Sequence, residues 1–171
     1  MKYFEYKQCG CKFPLDQNGN IIFDPQISSI NLECSATWDL ISSGNTKGCF
    51  QLESRLGRSM AKKLKPDSIE QLSALISIMR PGCLEAVRDG KTVSNHYIDK
   101  KNGLESIDHF HPALEPILKN TFGEMVYQEQ AMQIAKELAG FPENGLNRIK
   151  TVMRAAQPLT ADEWFDQFTQ A

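Results

Sequence analysis

From Asp67 to Met79 the apolar positions Ile69, Leu72, Leu75, Ile76 and Met79 recur at the spacing of one buried helix face. Asp67 is expected to cap that helix, with Glu70 completing a capping box. Pro81 should end it, because the residue before a proline is driven out of the helical region. A second stripe predicts the most regular helix of the chain, from about Met125 to Ala139. It contains Met125, Met132, Ala135 and Leu138, widened by Ala131, Ile134 and Ala139. Gly140-Phe141-Pro142 closes it. Trp38, Leu40 and Ile41 predict a helical turn over 37–43, stopped at Gly44-Asn45. Further helices are expected over 54–64 and 113–120. A less regular one is expected over 84–98, interrupted at Asp89-Gly90, with 97–103 as a charged exit.

The first 35 residues lack helical periodicity. Asn18-Gly19 is a two-residue hairpin signal, since both residues tolerate a positive φ. It is expected to join a strand at 12–15 to a short strand Ile21-Ile22-Phe23, which Asp24-Pro25 would end. Cys9, Cys11 and Cys34 frame this piece. The favoured reading is small buried thiols. A zinc site on the three would need a fourth ligand from Cys49 or a histidine. At the other end, a basic helix is expected over 147–156, followed by a short aromatic, acidic helix containing Trp164, Phe165 and Phe168. The organisation expected is an N-terminal segment 1–36, a helical region 37–142 and a distinct tail 143–171. The fold class is mainly α, with a small N-terminal hairpin or irregular Cys-bearing segment.

With 171 residues and 41% hydrophobic positions the chain can build a core. A net charge of −2 argues against a general polyanion binder and leaves room for local basic patches. Five scattered cysteines suit a reducing compartment better than a disulfide framework. No apolar run approaches the ~20 residues that span a bilayer, and the N-terminus has no signal-peptide pattern. A cytoplasmic chain without a membrane partner is expected.

Three stretches carry the candidate chemistry. Phe50-Gln51-Leu52-Glu53-Ser54 leads, as a buried extended segment or a turn, into a helix bearing Arg55, Arg58, Lys62 and Lys63. Those cations read equally as a solvated face or as a strip for phosphates, because no acids are interleaved among them. Arg80, held before Pro81-Gly82, either bonds the last carbonyls of its helix or points into a cleft toward phosphate. Tyr127-Gln128-Glu129-Gln130 crowds polar side chains into one turn, and its plain reading is a polar helix face. Lys150 and Arg154 are like charges at i,i+4 that a bound anion would relieve, with Arg148 nearby on another face. His109 and His111 are read as surface or capping residues. There is no P-loop, no G-x-G-x-x-G and no nucleophile-base arrangement.

The blocks TKGCFQLES, LKPDSIEQLSALISIMRPGCLEA, HYIDKKNG and LEPILKNTFGEMVYQEQAMQIAKELAGF, in that order over roughly 37–141, resemble the bacterial replicative DNA polymerase III alpha subunit, a C-family polymerase. The short form of the region and Arg80-Pro81-Gly82-Cys83 are similar to phage-encoded versions. The resemblance implies the fingers, a helical region that closes over nucleotide and template. It implies that Phe50, Gln51, Glu53, Ser54, Arg80, Pro81, Gly82 and the 127–130 turn shape the cleft. Arg80, Arg148, Lys150 and Arg154 would face nucleotide phosphates, although the paired basic residues and Gly-Lys-Lys of the family are absent here. Arg55, Arg58, Lys62 and Lys63 would face DNA.

The resemblance also implies that the metal-binding carboxylates lie in a palm upstream of this stretch. The chain is therefore expected to carry no catalytic residue or cofactor of its own, and to be inactive alone. Mg²⁺ is expected only with a palm-bearing polymerase chain. Primer-template DNA and dNTP should bind weakly to the chain by itself. A polymerase-derived decoy or regulator that binds another replisome protein is the alternative.

Overall fold

The computed structural model describes residues 2–22, 24, 26, 30–142 and 145. The expected helix over 147–156, the aromatic tail, Phe23 and Pro25 lie outside the described residues. The chain divides into two compact units, Met1–Ser73 and Ala74–Ala171. The described part is mainly helical, with a small N-terminal hairpin. Among the described residues no helix is long and apolar enough to cross a membrane.

In the first unit β1 (Tyr3–Tyr6) pairs antiparallel with β2 (Cys11–Pro14), in the register Phe4 opposite Phe13 and Tyr6 opposite Cys11. The hairpin thus forms one turn earlier than the Asn18-Gly19 signal suggested. Its connection is 7–10, where Gly10 takes a φ of 70°. The Asn18-Gly19 turn does form, and Asp16 builds it by accepting the Asn18 and Asn20 amides at 2.8 Å each. Among the described residues a single bridge, Leu15 with Ile21, pairs across that turn. On the other edge of β2 the Ile22 amide donates to the Pro14 carbonyl at 2.8 Å, so the expected pairing is reduced to its first residues.

Two helices complete the first unit. α1 (Ser35–Ser43) ends at Gly44 in the left-handed region, as Gly44-Asn45 predicted. α2 (Arg55–Leu64) lays Met60, Ala61 and Leu64 against a core that includes Ile41 and Leu52.

α3 (Ile69–Ile78) is the predicted helix, but Ser68 rather than Asp67 caps it. The Gln71 amide donates to Ser68 Oγ at 3.3 Å, while Gln71 Oε1 accepts the Asp67 amide at 3.2 Å. Ser68 and Gln71 thus take the capping roles expected of Asp67 and Glu70. Ala74, Leu75 and Ile78 are its buried face. Each large aliphatic side chain there contributes about 2 kcal/mol.

The second unit departs more from expectation. After α4 (Pro81–Glu85), residues 87–92 form a minimal hairpin rather than a helix. β3 (Val87–Arg88) and β4 (Lys91–Thr92) are joined by Asp89-Gly90, both at positive φ. Asp-Gly is a type I′ turn signal, and it overrides the helical pattern. α5 (Val93–Lys101) then begins on a Thr92 cap. The stretch read as a charged exit is its core, with Tyr97, Ile98 and Lys100 buried. The expected helix over 113–120 is broken into short turns around α6 (Glu115–Leu118). α7 (Gln128–Glu137) starts three residues later and stops two residues earlier than its stripe suggested. Met125 and Leu138 fall outside it and are exposed, whereas Ala131 and Ala135 are buried.

Candidate nucleic-acid interface and buried ion network

The 44–54 loop is a turn into a helix, and it is built around Leu52. Thr46 Oγ1, fully buried, donates to the Leu52 carbonyl at 2.6 Å, and the Leu52 amide donates to the Cys49 carbonyl at 3.0 Å. This winding forces Gln51 to a φ of 65°. It turns Leu52 inward and Phe50 outward. Phe50 is 85% exposed, contrary to its reading as part of a buried segment. Ser54 then caps α2, its Oγ accepting the Gly57 amide at 3.0 Å. Gly57 allows the loop to lie against the helix: a Cβ there would meet the Gln51 carbonyl oxygen at 2.5 Å. Glu53 is exposed beside the cap.

The cations of α2 stand opposite its buried face. Arg55, Arg58 and Lys62 follow the i, i+3, i+7 spacing, and all are exposed, as is Lys63. Two of them also belong to the fold. Arg58 Nε donates to the Gly44 carbonyl at 2.9 Å, closing the C-terminal end of α1. The Lys62 stem covers Gly44, where an added Cβ would lie 2.5 Å from its Cε. Arg55 is left as the cation at the loop end of the helix.

Arg80 has an extended φ,ψ of −82°,152° and caps α4, whose first residue is Pro81. Arg80, Pro81 and Gly82 are all exposed. The backbone is held from beneath: Ser94 Oγ lies between the Ile78 and Cys83 carbonyls, at 2.6 and 2.8 Å. Neither the expected bond to the helix's last carbonyls nor a wall around the guanidinium is found among the described residues. Cys83 is half-buried, and burial pushes its thiol up.

Of the Tyr127–Gln130 turn, Gln130 is structural rather than part of a polar face. Its Oε1 accepts the Val126 and Tyr127 amides at 2.9 and 3.0 Å. Its Nε2 donates to the Ile117 carbonyl at 3.1 Å and to Thr121 Oγ1 at 2.8 Å. The side chain is buried with its hydrogen-bonding capacity met, tying the start of α7 to α6. Tyr127 and Gln128 are half-buried and Glu129 is exposed.

The most ordered charge cluster escaped the sequence reading. Glu124 is 1% exposed and receives both arms of Arg88, Nη1 to Oε2 at 3.0 Å and Nη2 to Oε1 at 2.7 Å. Lys100 Nζ, on a residue 4% exposed, lies 2.8 Å from Oε1 of the same carboxylate. Phe110 covers both cations, its centroid 4.9 Å from the guanidinium and 5.8 Å from the ammonium. Glu124 is aimed by Gly123, where a Cβ would meet the Asp108 carbonyl oxygen at 2.2 Å.

Beside it, His96 places Nδ1 2.7 Å from Glu105 Oε1 and Nε2 2.9 Å from the Arg88 carbonyl. Lys91 bridges Asp99 and Glu105 at 2.7 and 2.9 Å. Its hydrogen bond to Asp99, then that to Glu105, raise the Lys91 pKa. Desolvation raises Glu105, but the hydrogen bonds from Lys91 and His96 outweigh it and hold the carboxyl below its ordinary value. His96, Glu105 and Glu124 approach closely enough to suggest a metal, yet Arg88 and Lys100 already neutralise Glu124 and would repel a cation. The signal available in sequence was Lys100, one turn beyond His96 and Tyr97 on a helix, so that charge and core fall on one face.

The cysteines are half-buried rather than buried. Cys9, Cys11 and Cys34 bring their sulfurs within 4.8 Å of one another. Cys34 occupies the cap position of α1, and a hydrogen bond from Thr37 pulls its thiol down to about 7. Cys9 is lowered by the Cys11 amide but pushed up to about 11 by the thiol hydrogen bonds to Cys11 and Cys34 and by desolvation. Cys49 stays apart in the 44–54 loop. Arg148, Lys150 and Arg154 lie outside the described residues.

The family model described as bacterial DNA polymerase III alpha subunit finger domain matches residues 15–171. Among curated proteins, the DNA polymerase III subunit alpha of Chlamydia trachomatis is 43% identical over 114 residues, which is 67% of this chain and 9% of that protein. The subunit from Pasteurella multocida is 38% identical over 137 residues, 77% of this chain and 11% of the relative. That from Staphylococcus epidermidis is 41% identical over 126 residues, 74% and 11%. The chain thus spans 9 to 11% of the length of these relatives. Lys100 and Glu124, which meet in one buried ion pair, both lie within the residues 15–171 that the family model matches. The chain belongs to the bacterial DNA polymerase III alpha subunit finger-domain family.

Proposed function

We propose that this chain supplies the fingers region to template-directed DNA synthesis, acting with a palm-bearing polymerase chain. The observation that carries this is the exposed cationic face of α2, opposite its buried face and continuous with the Phe50–Ser54 loop. Cations projecting from a rigid helix with no acid interleaved suit phosphate oxygens, whose neutralisation releases counterions. Arg80, exposed before Pro81 in the second unit, is a further candidate phosphate donor, and Arg148, Lys150 and Arg154 are candidate nucleotide-phosphate donors. Gln128 and Glu129 contribute to the cleft wall. The short region with Arg80-Pro81-Gly82-Cys83 supports a phage-type version. The two metal ions of nucleotidyl transfer would be held by palm carboxylates, so Mg²⁺ belongs to the assembled enzyme.

The test is affinity purification from the native host, followed by DNA binding with and without the co-eluting chain. A palm-bearing chain should co-elute. The complex should bind primer-template DNA with an affinity that falls steeply with salt, and it should extend the primer with Mg²⁺. Arg55→Ala with Lys62→Ala should weaken binding and reduce the salt dependence. Co-elution of a clamp or host polymerase with no salt-sensitive DNA binding would overturn this reading in favour of a non-catalytic replisome regulator.

A further inference from the structure

The N-terminal hairpin has no core of its own. All four residues of β1 are exposed, including Tyr3, Phe4 and Tyr6. A two-stranded hairpin without a packed face is marginal in water, and small segments of this kind are commonly held by a staple. The chain offers one where the hairpin meets α1. The 7–10 connection is folded back by the Cys9 and Gly10 amides donating to the Tyr6 carbonyl at 3.2 and 2.8 Å, with Gly10 in the left-handed region. This winding presents Cys9 and Cys11 together. Gln8 of the same connection lines a shallow concavity with Ala36, Asp39, Leu40 and Ser43 of α1, so the connection lies against that helix. Cys34 stands at its start, and Asn31 Nδ2 is 3.5 Å from Cys11 Sγ.

We propose that Cys9, Cys11 and Cys34 form a zinc site that clips the hairpin to α1. Their sulfurs lie within 4.8 Å of one another. Tetrahedral Zn–S bonds of about 2.3 Å need sulfurs about 3.8 Å apart, a closure of ~1 Å that side-chain rotation supplies. Three soft thiolates select a thiophilic divalent ion over Mg²⁺ or Ca²⁺. The fourth position goes to water or an exchangeable ligand, since Cys49 lies elsewhere. The Asn31 amide supports the Cys11 sulfur as a hydrogen-bond donor to a metal-bound thiolate. The clip joins two segments 25 or 23 residues apart in sequence, counting from Cys9 or Cys11 to Cys34. Binding displaces the thiol protons and couples metal affinity to folding of the N-terminal segment. Two of the three ligands precede the family match, which begins at residue 15, so this is a feature of the chain's own N-terminal piece, independent of its role in DNA synthesis.

The test uses the full chain, reduced and metal-free, titrated with Zn²⁺ against a chromophoric chelator and separately with Co²⁺. The expected result is one metal per chain, with the thiolate-to-cobalt charge-transfer band of a tetrahedral site. Cys49→Ser with Cys83→Ser should leave both unchanged. Cys34→Ser and Cys9→Ser should each weaken binding roughly tenfold or more. Zinc should also slow amide exchange over residues 3–14. Absence of stoichiometric metal in the wild-type chain would overturn the proposal. So would binding that survives loss of all three cysteines or that requires Cys49 or Cys83. A disulfide between Cys34 and Cys9 or Cys11 in protein isolated without reductant would also replace the metal as the staple.

Discussion

Lysine and arginine play opposite parts in the two units. On α2, Arg55, Arg58 and Lys62 are exposed along one face, although Arg58 also bonds the Gly44 carbonyl and the Lys62 stem lies over Gly44. In the second unit, Arg88 and Lys100 converge on one carboxylate, and Phe110 covers them. An exposed cation keeps its hydration and costs the fold little, so it remains available to a ligand. A buried cation must be matched bond for bond, because an unpaired charge away from water is severely destabilising. A basic residue inside a shared motif is therefore no guide to binding until its burial is known. Lys100, within HYIDKKNG, holds the fold, and Arg55, just beyond FQLES, faces solvent.

The comparison breaks first at Glu124. Glu124→Gln should leave Arg88 and Lys100 without their counter-charge and destabilise the second unit by about 3–5 kcal/mol. Urea unfolding, with amide exchange over 93–137, would show it; a loss confined to residues before 73 would mean the network is not the second unit's anchor. Next, Gln130→Leu removes four hydrogen bonds and takes the side-chain acceptor from the Val126 and Tyr127 amides and the donor from the Ile117 carbonyl. A loss of about 1–3 kcal/mol is expected, read from the same melts.

Acidification sharpens the contrast at intermediate scale. Glu105 is held below the ordinary carboxylate range, so its contribution is complete above that range and disappears as pH falls through its folded value. The second unit should weaken below about pH 4, and Glu105→Gln should flatten that decline in a pH series of thermal melts. The smallest effect belongs to α2. Arg55→Ala should change stability by no more than ~0.5 kcal/mol and Lys62→Ala somewhat more, because its stem covers Gly44, while the pair lowers the salt slope of DNA binding by about one for each phosphate no longer neutralised. A large stability loss in that variant would put α2 among the structural cations and remove the contrast.

The sequence by itself located the ends of α1, α2 and α3 to within a residue or two, because periodicity, Pro81, Gly44 and Ser54 act within a few residues of chain. It also revealed the family, through four ordered blocks that needed no coordinates. It placed the 37–43, 54–64 and 69–79 helices closely. It missed the 87–92 hairpin because Asp89-Gly90 reads as a break in either setting.

Only the tertiary structure decided which charged and polar residues are buried. Lys100 and Glu124 are separated by 24 positions, and Glu124 is matched by Arg88 and Lys100 from two other segments, so neither looks different from a surface residue along the chain. The same holds for Gln130, satisfied by groups on α6 and the turn after it, and for Cys9, Cys11 and Cys34, whose convergence depends on how the 7–10 connection lies against α1. Local sequence sets backbone preference over a few residues. Desolvation and pairing arise from whatever the fold brings alongside, and that partner is written elsewhere in the chain.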